Sequence, residues 1–442
     1  MALLKANKMS LGRYLASAGQ GAAYGLGLHV GRMNGVGRTI ASIVGKPDFP
    51  AVSAQMHDHA MTLAKAPAHR FYHDGQFFVD VMMAVFAYYD MDLPLPIGDT
   101  YNYEAEAMGA KMIFGEDSMP TVDLSEPLIK EHRDLLKLRR PDPLRDGRMP
   151  YALEVMKTIG KYLGIPLGFF CSHFSLACAI RTYPLLIRDM RKNPEFVRDL
   201  FEFLTHDVLL PYGRAMKKEV GVRFALGADA WAAYPNLTPQ MVEEWVAPYA
   251  ADLRRKSRAE GFLMAAGTAA ADYCEEDPAK INGETMRKCF AAFAKASGAP
   301  IVFIGMGRGQ DMPLEVLQEY AIEHKARRYG KLPIIAAVNA RFLRDSNPEE
   351  IAALVRRYID VMAREGHFLL FMANIPADTP SDHVHTVISA ARAFGRYPIA
   401  ENLGSVSFRP PHRESFDEWL KNYELGEEIF RAREQRVRAM AA

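Results

Sequence analysis

Cysteine is scarce in this chain, which contains only four among its 442 residues. No two of them have the CxxC spacing of a zinc knuckle or a redox pair; they are Cys171, Cys178, Cys274 and Cys289. The N-terminus also lacks the continuous apolar segment of a secretory signal. So few cysteines fit a reducing compartment, and we therefore predict a cytoplasmic protein whose cysteines are small buried hydrophobic residues.

The sequence also lacks a surplus of charge, a long apolar run and several familiar motifs. Lysine and arginine number 54 and aspartate and glutamate 53, so there is no basic footprint for a nucleic acid. No run approaches the roughly 18 apolar residues that cross a bilayer. Ser-His-Asp order, a phosphate-cradling loop and HExxH are missing, and the glycines of 305–309 depart from GxGxxG. These absences disfavour nucleic-acid binding, membrane spanning and several enzyme classes.

What the sequence does have is a regular alternation of short apolar runs with longer helical patterns. Seven runs are candidate strands, at 51–55, 167–172, 224–229, 262–266, 301–305, 334–338 and 368–373. An eighth is expected at 91–98 or 111–114. Strands that alternate with helices at this spacing indicate parallel pairing through crossover helices. We predict an α/β fold, a (β/α)₈ TIM barrel with an N-terminal helical extension, with an open doubly wound sheet as the competitor.

Three regions follow from this pattern. Residues 49–409 form the predicted barrel, residues 1–48 precede it, and residues 410–442 form a helical tail. The first region mixes glycines with scattered apolar and basic residues. We interpret it as a helical arm packed on the body or on a partner, and a membrane-surface helix is the alternative.

Reactive residues of such a barrel come from the carboxyl ends of strands and the loops that follow. His57 and His59 follow the first strand, and imidazoles serve as metal ligands or acid–base groups. Alternatively, one histidine is a structural hydrogen bonder and the other is exposed. Asp99, Tyr101 and Tyr103 lie in a stretch dense in proton donors and acceptors. Here the alternative is that Asp99 caps a helix in which Glu104 and Glu106 are ordinary polar residues.

Later strands supply the other candidates. His173 follows the second of the seven runs, where a structural role is the alternative to catalysis. Asp229, Trp231 and Tyr234 follow the next run and suit a planar or cationic substrate, or an aromatic plug. Two further residues could bind a polar group of the substrate: Arg308 in a glycine-rich loop and Asn339 at a strand end.

Four segments resemble the uroporphyrinogen decarboxylases and the methyltransferases that serve corrinoid proteins. They are EAEAMGAKMIFGEDSMPTV at 104–122, SHFSLACAI at 172–180, GADAWAAYPNLTPQMVEEWVAPY at 227–249 and IPADTPSDHV at 375–384. The resemblance covers about residues 50 to 395 in order and spacing. It implies a (β/α)₈ barrel, in agreement with the alternation of strands and helices.

The chain departs from this family at the positions of its zinc ligands and catalytic residues, which restricts the reactions to be considered. The zinc ligands of the thiol-activating methyltransferases would fall on 264–266 and on Ala373, where no thiolate or imidazole is present, so that zinc site is expected to be absent. Of the decarboxylase residues only the aspartate has a counterpart, Asp99. The decarboxylase tyrosine falls near Ala179 and its late histidine on Ala373, and the arginine-rich motif is missing.

The resemblance therefore implies a branch that takes a methyl group from a small methylated compound, such as a methoxylated aromatic. The acceptor is a corrinoid (cobalamin) cofactor on a partner protein, and a homodimer is implied only by the resemblance. Asp99, His57 or His173 then supplies a proton, and Arg308 or Asn339 holds a polar end. The aromatic side chains wall the substrate; they are Tyr101, Tyr103, Trp231 and Tyr234. A cofactor-independent decarboxylase and a non-catalytic binding barrel remain alternatives.

Overall fold

The computed structural model describes residues 8–28, 33–116, 118–266, 273–275, 277–298, 302–304, 312–324 and 330–441. Within them the strands are β1 Ala51–Ala54, β2 Met112–Ile113, β3 Thr121–Val122, β4 Gly168–Cys171, β5 Phe224–Ala228, β6 Leu263–Ala266, β7 Val302–Ile304, β8 Ile334–Val338 and β9 Phe368–Met372.

Helices separate these strands. Before β4 they are α1 Leu11–Gly25, α2 Gly35–Val44, α3 His57–Leu63, α4 Ala68–Phe71, α5 Gly75–Tyr89, α6 Tyr103–Met108 and α7 Met149–Leu163. Between β4 and β7 they are α8 His173–Arg181, α9 Tyr183–Lys192, α10 Pro194–Phe203, α11 Leu210–Ala215, α12 Pro239–Met241, α13 Ala247–Ala259 and α14 Gly283–Ser297. The remaining helices are α15 Leu314–Glu323, α16 Ala340–Asp345, α17 Pro348–Tyr358, α18 Ser381–Phe394, α19 Phe416–Leu420 and α20 Gly426–Ala441.

Short 3₁₀ and π segments connect or extend several of these helices. The π turns are Leu204–Leu209, Met216–Val220, Val242–Val246 and Ile359–Ala363, and the 3₁₀ turns are His132–Lys137, Ala230–Ala232, Pro278–Lys280 and Leu403–Ser405. Residues 194–220 thereby form one continuous helical segment between β4 and β5. None of the helices within the described residues combines the length and the apolar character needed to cross a membrane.

The strands form two parallel sheets and one small hairpin. The first sheet has the order β1-β9-β8-β7 and the second β4-β5-β6, with parallel pairing throughout. A parallel bridge between Ser53 and Leu93 extends the first sheet on the far side of β1. All seven strands expected from the sequence are therefore present, and the α/β class with parallel pairing is confirmed.

The ring itself is not closed by the hydrogen bonds of the described residues. Among these residues no strand pairing joins Leu93 to β4 or β6 to β7. The alternative eighth strand at 111–114 is wrong, since β2 pairs antiparallel with β3 through a local turn. The other alternative, 91–98, contributes a single bridge next to β1.

The N-terminal helices α1 and α2 pack side by side in parallel through small residues. A Cβ atom added at Gly21 would lie 2.0 Å from the carbonyl oxygen of Gly37, and one at Gly45 would lie 1.9 Å from that of Gly25. Only hydrogen fits at these contacts, which explains the glycines of this region. The pair rests on the amino end of the strands, where the Gly45 carbonyl accepts a 2.7 Å bond from the backbone N–H of His367 just before β9.

The C-terminal helices α19 and α20 pack against α3 and α4. Lys65 pairs with Asp417 at 2.7 Å, and Arg70 pairs with Glu428 at 3.0 Å. The Nε of Arg433 donates a 2.6 Å hydrogen bond to the carbonyl of Ala64. These contacts fasten α19 and α20 to the helices that follow β1.

Candidate active site

Asp99 lies at the centre of a buried polar cluster beyond the carboxyl end of the Leu93 segment. Its side chain is fully buried, and its Oδ2 accepts a 2.6 Å hydrogen bond from Nη2 of Arg148. Its Oδ1 accepts a hydrogen bond from Nδ2 of Asn102, which also donates to the carbonyl of Pro120 at 2.8 Å. Burial raises the pKa of Asp99, whereas the charge of Arg148 opposes that rise. Asp99 thus orients Arg148 and does not cap α6.

Arg148 has one donor group left over. Its Nε donates to Oε2 of Glu106 at 2.7 Å, and its Nη2 bonds to Asp99. Its buried Nη1 has no hydrogen-bond partner among the described residues. The rings of Tyr103 and Phe114 lie 5.4 and 5.3 Å from its Cζ. A buried guanidinium with an unused fork is suited to a carboxylate or another oxygen-bearing group.

The hairpin of β2 and β3 covers this pair. Phe114, after β2, lies over the guanidinium, and the carbonyl of Pro120, before β3, accepts the bond from Asn102. Arg148 itself is 4% exposed. The hairpin therefore shields the Asp99–Arg148 pair from solvent, which strengthens its electrostatic interactions.

His57 belongs to a second polar group, with Tyr72 and Asp58. Nδ1 of His57 is 3.2 Å from the Tyr72 hydroxyl and 3.3 Å from Oδ1 of Asp58, and Tyr72 donates to that oxygen at 2.8 Å. Burial raises the pKa of Asp58, but the bonds from His57 and Tyr72 outweigh burial and leave that pKa lowered. The charge of His57 also lowers the pKa of Asp99, so the two groups are electrostatic neighbours. No hydrogen bond among the described residues joins His57 to Asp99.

Glu104 is a buried residue for which the sequence left an ordinary polar helix position as the alternative, and it was not among the predicted site residues. Its side chain is fully buried, and Oε1 accepts a 2.8 Å bond from the backbone N–H of Cys171 at the end of β4. Oε2 and the hydroxyl of Tyr212 have no hydrogen-bond partner among the described residues. Burial raises the pKa of Glu104 to about 8, so the carboxyl group is mostly protonated at neutral pH. A usable signal was the spacing of Glu104 from Ala107 and Met108, which are buried on the same helical face.

Asp229 occupies the neighbouring strand end. Its Oδ1 accepts bonds from the backbone N–H and the hydroxyl of Ser175, at 2.8 and 2.7 Å, while its buried Oδ2 has no partner among the described residues. Burial raises its pKa to about 6. Burial raises the pKa of the Cys171 thiol, and the charges of Glu104, Asp229 and Asp99 add to that rise. Glu104 accepts from the backbone of Cys171 at the end of β4, and Asp229 follows Ala228, which pairs with Cys171, so both acids lie near the ends of these two adjacent strands.

His173 and His59 have other partners. Nε2 of His173 is 2.8 Å from the hydroxyl of Thr205 in the helical segment 194–220, and burial lowers its pKa to about 3. Nε2 of His59 is 2.7 Å from the hydroxyl of Tyr89 on α5, and burial lowers its pKa to about 4. None of these bonds reaches the Asp99 cluster. Both rings are neutral in this setting and support the packing of helices.

The remaining predicted residues are divided. Tyr103 borders Arg148, and half-buried Tyr101 packs on the core. Trp231 is 40% exposed and stacks on Tyr183 with ring centres 5.4 Å apart. The other two described candidates make these contacts: Tyr234 stacks on Tyr273 with ring centres 4.9 Å apart, and Asn339 caps α16 by accepting from the backbone N–H of Phe342 at 3.0 Å. Arg308 lies outside the described residues.

Comparison with known proteins identifies the family. The model of the uroporphyrinogen decarboxylase (URO-D) family matches residues 46–394. The chain belongs to the URO-D family. The resemblance found in the sequence is thereby confirmed, and the Asp99 cluster is the candidate active site of a URO-D family member. No curated protein sequence matches the chain.

A solved structure shows the same fold at low sequence identity. A methyltransferase from Methanosarcina mazei is 17% identical, with a TM-score of 0.60 over 81% of this chain and 98% of that chain. Among the residues that our structure describes, no three His, Cys, Asp or Glu side chains are grouped as ligands for a metal ion.

Proposed function

We propose that this protein is a methyltransferase that takes a methyl group from a small methylated compound and delivers it to a corrinoid on a partner protein. The observation that carries the proposal is the buried Arg148, which is fixed by Asp99 and Glu106 and whose Nη1 has no partner among the described residues. The URO-D family match and the shared fold of the Methanosarcina mazei methyltransferase support it. Buried titratable groups with unused atoms favour an enzyme over a non-catalytic binding barrel.

The reaction breaks the bond between the methyl carbon and its oxygen, nitrogen or sulfur atom. The methyl group passes to the acceptor without its bonding electrons, and the leaving atom keeps that pair and takes a proton. Nη1 of Arg148 holds and polarises the leaving atom or a neighbouring oxygen. His57 supplies the proton as a general acid, and Tyr72 and Asp58 hold its ring.

A corrinoid, when bound, supplies a nucleophilic metal centre that accepts the methyl group. The residues at the carboxyl ends of β4 and β5 fit a planar macrocycle, because Trp231 is 40% exposed there and is stacked on Tyr183. A corrinoid in its reduced state also fits the reducing, cytoplasmic compartment that we infer from four free cysteines.

We further infer that the two parallel sheets and the Leu93 segment form one (β/α)₈ ring. The described pairings follow the order of the chain around such a ring, from Leu93 to β1, β9, β8 and β7, and from β4 to β6. A ring of this kind gathers the carboxyl ends of all strands on one rim, which is where Asp99 and Asp229 lie.

A direct assay tests the methyl transfer. The purified protein is incubated with a reduced corrinoid and a panel of methoxylated, N-methylated and S-methylated compounds, and the methylated corrinoid is followed by its absorbance. We expect transfer from at least one donor, abolished by His57→Ala and kept by His206→Ala, an exposed histidine on the helical segment 194–220. Failure of the whole panel, or full activity of His57→Ala, would overturn the proposal.

Decarboxylation of a small acid is the second candidate, and one observation favours it. A carboxylate is the natural partner of the unused guanidinium fork of Arg148 in a buried site. Release of carbon dioxide from a panel of carboxylic acids, without any corrinoid, would support this reaction. Methylation of the corrinoid with no release of carbon dioxide would exclude it.

A further inference from the structure

The N-terminal region differs in charge from the rest of the chain. Residues 1–47 contain six lysines and arginines and no aspartate or glutamate, whereas the whole chain has 54 basic and 53 acidic residues. The remainder is therefore net acidic. Arg38 forms ion pairs with Asp48 and Asp92. Lys8, Arg13 and Lys46 are exposed. A positive region of this kind attracts an anionic surface.

Helix α1 also presents an apolar face to solvent. Its exposed residues are Leu11, Gly12, Arg13, Leu15, Ala16 and Gly19, so arginine is the one polar side chain among them. Leu11 and Leu15 are 54% and 59% exposed, and they lie one helical turn apart. The opposite face, with Ser17, Gly21 and Gly25, is used for packing on α2. Leu11 and Leu15 lie away from the face of α1 that packs on α2.

The apolar face continues beyond the end of α1. Leu26 and Leu28 are 65% and 64% exposed. Leu26 also borders a cavity of about 800 Å³ that is lined by Lys46, Arg364 and His367, among others. Leu26 and Lys46 border the same cavity. The exposed leucines and cations of this N-terminal region, which we call the α1 face, are Leu11, Leu15, Leu26, Leu28, Lys8, Arg13 and Lys46.

We propose that the α1 face docks the protein on an anionic lipid bilayer, with the four leucines in the interfacial layer and the cations at the headgroups. Exposed leucines beside basic residues are the features of interfacial helices. A specific protein partner is less favoured, because protein interfaces centre on aromatic and arginine anchors in shaped pockets. The exposed surface of α1 offers small residues and leucines.

This docking leaves the candidate active site free. The α1–α2 pair rests at the amino end of the strands, as the bond between Gly45 and His367 shows, while Asp99 and Asp229 lie at the carboxyl end. A protein bound through the α1 face therefore turns its reactive rim away from the bilayer, toward soluble substrates and partners.

Co-sedimentation with vesicles tests the proposal, and it uses no substrate, so it stands apart from the methyl-transfer assay. Vesicles of neutral phosphatidylcholine are compared with vesicles that also contain about one-third phosphatidylglycerol. We expect binding to the anionic vesicles, reduced at least about fivefold when salt rises to about 0.5 M. The double variant Leu11→Glu/Leu15→Glu should reduce the bound fraction at least about tenfold.

Leu136→Glu is the matched control, since Leu136 is 90% exposed far along the chain and should tolerate the change without loss of binding. Unchanged thermal unfolding of the double variant would show that α1 remains folded. The proposal is overturned if the full-length protein ignores anionic vesicles, or if the double variant binds as well as Leu136→Glu. A third outcome also overturns it: the parent protein is a dimer by size-exclusion chromatography, the double variant is a monomer, and neither binds vesicles. The α1 face would then join two copies of the chain.

Discussion

Two buried arginines, one at each end of the strands, show how differently this protein uses the same side chain. At the amino end, Arg38 is satisfied: Nε and Nη2 bond to Asp48 at 2.7 and 3.0 Å, and Nη1 bonds to Asp92. At the carboxyl end, Arg148 also holds two carboxylates, yet its Nη1 has no partner among the described residues. A completed network stabilises a fold, whereas an incomplete one is kept where a ligand completes it.

The same contrast extends to the surroundings. Around Arg38 the chain is closed by backbone contacts at glycines and by the bond from His367 to Gly45. At the carboxyl end, burial has raised the pKa values of two further acids, Glu104 to about 8 and Asp229 to about 6. The amino end is thus closed by tight backbone packing. The carboxyl end retains buried polar groups without hydrogen-bond partners among the described residues, as expected where chemistry takes place.

The largest effect should come from removing the arginine itself. We expect Arg148→Ala to lower the free energy of unfolding by about 3–5 kcal/mol, because it leaves the carboxylate of Asp99 buried without its partner. Arg38→Ala should cost a similar amount, because Asp92 is 5% exposed. Urea unfolding measures both. A loss below about 1 kcal/mol for Arg148→Ala would show that Asp99 is protonated or solvated.

Enzyme turnover should distinguish the two ends of the strands when the carboxylate that holds each arginine is replaced by an amide. Asp99→Asn weakens the hold on Arg148 and should lower kcat/KM by about 100-fold, the effect of a misplaced catalytic group. Asp92→Asn weakens the hold on Arg38 and should leave the turnover of the folded protein unchanged. Equal losses of turnover in the two variants would abolish the distinction between the ends.

Much of the fold could be predicted from the sequence because strand patterns are local. The run at 334–338 is β8 residue for residue. Asp99 and His57 also emerged from their positions after strand ends. Arg148 did not, because it pairs with Asp99 across 49 residues and comes from the start of α7, not from a strand end. Such a contact depends on tertiary packing that no local pattern encodes.

Arg148 was missed, whereas the histidine after β4 was predicted to be catalytic but points away from the cluster. His173 does follow a strand, as the sequence indicated, but it is the first residue of α8, and its ring contacts Thr205 in the helical segment 194–220. Position after a strand places the backbone at the rim, whereas the direction of the side chain depends on the helix that begins there. The structure therefore retains His57 and not His173 in the proposed mechanism.

Two glycines of α1 test the close packing at the amino end, and the expected changes in stability are smaller. Gly21→Ala places a Cβ 2.0 Å from the carbonyl of Gly37 and should destabilise the protein by about 1–3 kcal/mol. Gly19→Ala meets nothing within 4 Å and should stabilise it by about 0.5–1 kcal/mol through helix propensity. Thermal or urea unfolding gives both values. Similar behaviour of the two variants would mean that α1 does not approach α2 closely in solution.

A change in the pH dependence of stability tests the unsatisfied carboxyl group at the other end. The folded pKa of Glu104 is about 8 against an ordinary 4.5, so the folded state holds a proton that the unfolded state has lost. Its contribution to stability is fully present below about pH 4.5 and is lost as the pH rises through 8, at up to about 1.4 kcal/mol per pH unit. Glu104→Gln cannot ionise and should remove this part of the slope. Urea unfolding between about pH 5 and 8 compares it with the exposed Glu315→Gln, whose slope should match the parent; an unchanged slope in Glu104→Gln would show that this carboxyl group is reached by water or by a partner that keeps it ionised.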